Sequence, residues 1–172
     1  MFHKSSLSTE THVQVSYSLQ KIRKILIYLF FLLTGCSSMQ SNAHFHALRL
    51  IPGKDVKVEI DQFVKAHDIK AGSIVSAVGS LTEFALRYSD RPEVTKVKGH
   101  FEVVSLSGTV SSVSGSHLHM AVSDGDGKTI GGHMKEGNIV YTTLELVIAE
   151  YPAMVFKREM CPYSGYHELK VE

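Results

Sequence analysis

From residue 69 onward the chain alternates apolar and polar residues with a period of two, in short runs broken by Gly, Ser, Asp and Pro. Strands joined this tightly must run antiparallel, because a parallel crossover needs a dozen or more residues. The runs are 73–78, 83–88, 95–98, 101–107, 117–123, 128–132 and 139–148, with breaks at Gly79-Ser80, 89–92, Gly99, 111–115 and 135–137. The 139–148 run is apolar on both faces, which places it centrally in a sheet or at a subunit contact. Residues 166–171 offer a last strand after the break at Pro162. Upstream, 44–50 reads as a first strand ending at Pro52-Gly53, with Phe45, Ala47 and Arg49 on one face. Asp55 then offers an N-cap, and Val56, Ile60, Phe63, Val64 and His67 fall at helical spacing, an amphipathic helix of about three turns. The fold class is α+β: a mainly antiparallel sheet with one main amphipathic helix.

Residues 116–134 read SHLHMAVSDGDGKTIGGHM. On an extended strand His117 and His119 project from one face, while Leu118, Met120 and Val122 project from the other toward a core. The Asp124-Gly125 and Asp126-Gly127 steps favour a reversal that returns residues 128–133 alongside and brings His133 to the pair. Gly131 and Gly132 leave room for close approach. Three imidazoles with no fourth protein ligand in view match a catalytic zinc site, and imidazole suits nickel or iron as well. The Asp124–Gly127 acids lack the further spaced carboxylates and closing Glu of a calcium loop, so they read as a turn. Two charged residues stand within expected strands, Arg87 and, inside the apolar 139–148 run, Glu145; a buried charge there would need a partner, and a place on an exposed strand face is the competing reading for both.

The first 35 residues have a different character. A basic cluster at Lys21, Arg23 and Lys24 precedes the apolar run 25–33, too short to cross a bilayer as a helix, and then Leu33-Thr34-Gly35-Cys36. This pattern resembles the lipobox of bacterial lipoproteins and predicts a signal peptide over 1–35, acylation of Cys36, a small polar tether over 36–43 and a folded domain over 44–172. The predicted location is the cell envelope, with the lipid at Cys36 as membrane anchor; initiation at Met39 would instead leave the protein in the cytoplasm. Residues 36–172 carry 14 Lys and Arg against 16 Asp and Glu, because Lys4, Lys21, Arg23, Lys24 and Glu10 fall in the leader. That balance lacks the concentrated positive surface of a duplex-binding module. With Cys36 acylated, Cys161 is left without an intramolecular partner, and no disulfide framework is expected.

The stretches GHFEVVSLSG at 99–108, HLH at 117–119 and Gly131-Gly132-His133, with Ala71-Gly72-Ser73 and Gly79-Ser80-Leu81, together resemble the plant and prokaryote conserved (PPC) domain over residues 44–172. The resemblance implies a strongly bent antiparallel sheet with one main helix, assembled as a homotrimer, and zinc on His117, His119 and His133. The family is commonly labelled DNA-binding because its plant members join the domain to an AT-hook, a segment this sequence lacks; their GRFEIL-like stretch, which serves protein contacts, corresponds to 99–104, with His100 in place of the arginine. The fold is also similar to that of acetolactate decarboxylase, a zinc enzyme that adds an arginine and glutamates to an HxH pair and a downstream His. Three functional expectations follow. One is a zinc-binding trimer with a binding or regulatory role, its DNA label weakened by the export signal. Another is an envelope metalloenzyme, a lyase or hydrolase for a small oxo-acid or ester, with Glu145 moving a proton and Arg87 fixing a carboxylate. The third is a passive module whose metal rigidifies the assembly.

Overall fold

The computed structural model describes residues 21–22 and 40–172. Residues 21–22 are helical, and the expectations for the leader, Cys36 and Met39 lie outside the described residues. The unit Gln40–Glu172 is built from β1 (His44–Leu50), α1 (Val56–Ala66), β2 (Gly72–Arg87), β3 (Val94–Val110), β4 (His117–Ser123), β5 (Thr129–Met134), β6 (Ile139–Glu150), β7 (Phe156–Met160) and β8 (His167–Val171). Among the described residues no helix is long and apolar enough to cross a membrane.

Six strands form one sheet in the order β1-β6-β2-β3-β4-β5, and every pairing is antiparallel. β6 sits between β1 and β2, the central place its two-faced apolar sequence predicts. The sheet also closes on itself. β5 pairs with β4 along one edge, His119 opposite His133, and with β2 along the other, Leu86 opposite Met134 and Arg87 opposite His133. The circuit β2-β3-β4-β5 is therefore complete, which requires strong curvature. Bulges between Leu81 and Glu83 and between Val103 and Ser105 supply local bends.

Two glycines make the close approaches that curvature demands. A Cβ on Gly132 would meet the Arg87 carbonyl oxygen at 2.8 Å, so the β5–β2 contact needs a bare backbone there. Gly108 adopts φ +140 and packs so tightly on β4 that a Cβ would lie 2.0 Å from the His117 carbonyl oxygen. Gly79 and Gly99, expected to break strands, instead lie inside the long strands β2 and β3. Gly79 occupies φ +154, where residues on either side pair with β6 and a bulge follows, so the glycine bends the strand rather than ending it.

One face of the sheet and the helix share a core. Val56, Ile60 and Val64 of α1 are buried with Phe84, Leu86, Leu118, Met120, Met134, Leu144 and Ile148, and Phe84 meets Phe101 edge to face at 4.8 Å. Asp55 caps α1 as its position predicts: one carboxylate oxygen accepts from Lys57 N (3.0 Å) and Val58 N (3.3 Å), and the other accepts from Gly137 N at 2.5 Å. The cap therefore also ties the helix to the β5–β6 loop, where the fully buried Asn138 accepts from Ala85 N and donates to the Lys135 carbonyl. In β1 the face carrying Phe45, Ala47 and Arg49 is the exposed one, while Leu48 and Leu50 turn inward against β6.

The β3–β4 register depends on Gly108, so G108A should lower unfolding free energy by roughly 2 kcal/mol or more through positive-φ strain and backbone collision. Urea titration of the two proteins checks this, and equal midpoints would contradict it.

A candidate metal centre

The β4–β5 hairpin forms as its turn chemistry dictates. The Asp124 carboxylate accepts from Asp126 N (3.1 Å) and Lys128 N (2.9 Å), Gly127 N donates to the Asp124 carbonyl (3.0 Å), and Gly127 takes φ +77. The acid is thus spent on the backbone of the turn. Along β4 burial alternates, with Leu118, Met120 and Val122 in the core and His117, His119, Ala121 and Ser123 on the other face. His133 of β5 stands directly opposite His119 and shares that face.

The three rings converge. Their centroids lie 5.2 Å (His117 to His119), 5.0 Å (His117 to His133) and 5.5 Å (His119 to His133) apart, and one ring nitrogen from each lies within 4.8 Å of the others. His119 is exposed, and His117 and His133 are half-buried. Among the described residues the Nδ1 of His133 is buried without a hydrogen-bond partner. A buried polar atom left unsatisfied is costly, and a cation offered to it removes that cost. Burial, then the positive charge of Lys135 and the neighbouring His117 and Arg87, push the His133 imidazole down to about 4. Burial, then Arg158, lower His117 in the same sense. Both rings are therefore neutral near pH 7, with lone pairs free to ligate. The donor set fits a borderline divalent metal such as zinc, and among the described residues no carboxylate or thiolate joins the cluster.

Arg87, the last residue of β2, is directly opposite His133 on β5 and donates to the Arg91 carbonyl at 3.4 Å. The β2–β5 closure thus brings it to the cluster. Glu145 is not brought there. It lies on the exposed face of β6, opposite Arg49 on β1 and Val78 on β2, nine residues along β2 from Arg87. Its charge needs no partner because its side of β6 faces solvent while Leu144 and Leu146 fill the core.

Sequence reasoning missed Arg158. It sits on β7, one arm of a separate two-stranded sheet with β8, and its guanidinium donates to Thr109 Oγ1 at 3.1 Å. Thr109 is in turn directly opposite His117. The available signal was only a short stretch, 156–160, set between Pro152 and Pro162. Cys161, at the β7–β8 turn, is a free thiol.

His133 has a folded-state value depressed below the ordinary 6.5, so between those two values the unfolded chain binds more protons than the folded one. The stability of metal-free protein should therefore fall as the pH drops from 6.5 to about 4, with no further loss from this group below that. Urea midpoints measured across that range in the presence of chelator should show a shallower slope for H133Q than for the wild type. Parallel slopes would contradict the assignment.

The chain has recognisable relatives among known proteins. The chain is 47% identical to a hypothetical protein from Salmonella cholerae-suis (Salmonella enterica), whose crystal structure superposes with a TM-score of 0.77 over 79% of this chain and 98% of that one. It is 25% identical to AF0104 from Archaeoglobus fulgidus, described as a metal-containing protein, with a TM-score of 0.67 over 78% of this chain and 99% of that one. Over 127 residues, 74% of this chain, it is 41% identical to the bifunctional protein GlmU of Synechococcus sp. (strain JA-3-3Ab) and spans about a fifth of that relative's length (20%). Residues 37–152 match the Plants and Prokaryotes Conserved (PCC) domain, and the chain belongs to that family.

Proposed function

We propose that the protein is a metal-binding member of this family that acts as a homotrimer and holds zinc, or another divalent transition metal, on His117, His119 and His133. The observation that carries the reading is the convergence of one ring nitrogen from each of the three histidines, and beside it stands a buried His133 Nδ1 that has no hydrogen-bond partner among the described residues. Neutral imidazoles at physiological pH support it, as does the likeness to a metal-containing protein. A cation bound there supplies Lewis acidity. What the chain itself contributes is a rigid donor set on paired strands, with the rings held by the β4–β5 register rather than by a loop.

Of the roles open to such a protein, DNA binding is the one the composition favours least. Residues 36–172 are slightly acidic, with 14 Lys and Arg against 16 Asp and Glu, and lack the basic excess on which duplex binding relies. The family's DNA-binding label stays a property of its relatives. An envelope location with acylation at Cys36 is part of the proposal, resting on the basic, apolar and small-residue pattern before that cysteine. The alternative reading, a lyase or hydrolase acting on a small oxo-acid or ester, is favoured by Arg87 standing opposite His133. In that reading Arg87 positions a carboxylate, and a proton carrier other than Glu145 of the same chain is required.

Metal analysis of the chelator-treated and reloaded protein should return one zinc per chain, and H117A, H119A or H133A should each weaken zinc affinity by about 100-fold or more. Loss of no single histidine affecting affinity would overturn the site. Palmitate labelling of cells expressing the full chain should mark the wild type and not C36S, while equal labelling, or none in either, would remove the anchor from the proposal.

A further inference from the structure

The histidine cluster is flanked on both sides by guanidinium groups. Across the circuit the strand order is β2, β5, β4, β3. Arg87 stands on β2 beside His133, and Arg158 reaches Thr109 on β3 beside His117. Because directly opposed residues of an antiparallel pair project from the same face, Arg87, His133, His119 and His117 share one face, together with Ser107 and Thr109. Among the described residues neither arginine forms an ion pair. Arg87 spends one donor on the Arg91 carbonyl; Arg158 spends donors on Thr109 Oγ1 and, at 3.5 Å, on the His167 carbonyl. Five N–H donors per guanidinium leave most of each fork unused. Glu168, on β8, is the acid whose charge reaches His117, and its carboxylate already accepts from Ser164 Oγ at 3.0 Å.

Half-buried guanidinium groups beside a site for a divalent cation form a concentration of positive charge with no anion supplied by the cluster itself. We propose that Arg87 and Arg158 form an oxyanion-binding rim over the three-histidine site, taking a small carboxylate or phosphate, with the β7–β8 hairpin contributing the second arginine from outside the family-matched segment 37–152. The proposal rests on the metal reading for the cation, and on Arg87 and Arg158 alone for the anion. Planar guanidinium forks match either oxyanion by paired hydrogen bonds.

The full chain, metal-free and loaded with cobalt(II), is titrated with acetate and separately with inorganic phosphate, followed by heat and by the visible absorption of the cobalt. One anion per chain is expected, with R158Q and R87Q each weakening its binding by about 10-fold or more. R49Q, on β1 and away from the cluster, should bind as the wild type does. Tighter acetate or tighter phosphate names the source, and either supports the rim. No anion binding, or equal affinity in R158Q and the wild type, overturns it. If R158Q melts before titration, R158K decides: affinity weakened about 3-fold or more supports the forked contact, and unchanged affinity overturns it. Should cobalt fail to load, the metal reading fails separately, and the heat of anion binding to the metal-free arginine variants still judges the rim by the same comparison.

Discussion

Strand β5 is bonded on both edges, to β4 along the hairpin and to β2 at Leu86 and Arg87. That double pairing turns a succession of hairpins into a curled wall, and the placement of the site depends on it. Without the β2 contact His133 would sit on a free sheet edge, and Arg87 would have no reason to lie beside it. The contact is narrow. It is possible because Gly132 presents no Cβ to the Arg87 carbonyl, and it is held because Met134, one residue past His133, is fully buried in the common core. Burial of a side chain of that size stabilises by about 1.5–3 kcal/mol, enough to fix the register of a short strand.

The site then follows from the two-residue period of a strand. Filling the core with Leu118, Met120 and Val122 commits His117 and His119 to the opposite face, and the same logic commits His133 once Met134 is buried. The rings are crowded and partly desolvated, and cationic groups surround them. Each of these opposes protonation of His117 and His133, so folding itself keeps those two imidazoles in the form that ligates a metal. A residual cost remains at the unpartnered Nδ1 of His133, the kind of local conflict expected where a fold is shaped by a ligand rather than by stability alone.

Much of this was legible in the chain. The HxH pair, the Asp-Gly turn and the glycines before His133 are local signals whose geometry is set within a single hairpin, so sequence spacing placed all three rings. The helix and its Asp55 cap were legible for the same reason. For Glu145 the apolar look of 139–148 left a buried charge and an exposed strand face both open; the register puts it on the exposed side of β6, with Tyr141 on that same side. The merging of four expected runs into β2 and β3 was hidden because a glycine at a bulge and a glycine at a turn look alike in sequence. For Arg158 the chain signals a short run at 156–160 but not where it goes: its approach to His117 passes through Thr109, 49 residues away in the chain, and depends on how the two-stranded sheet lies against the six-stranded one.

Zinc loaded onto the three proposed histidine ligands would have a definite local structure, which X-ray absorption at the zinc edge reads without reference to activity. The account predicts three imidazole nitrogens at about 2.0–2.1 Å and no sulfur. A zinc–sulfur distance of about 2.3 Å, as Cys161 would give, or a shell with one imidazole or none, would contradict it.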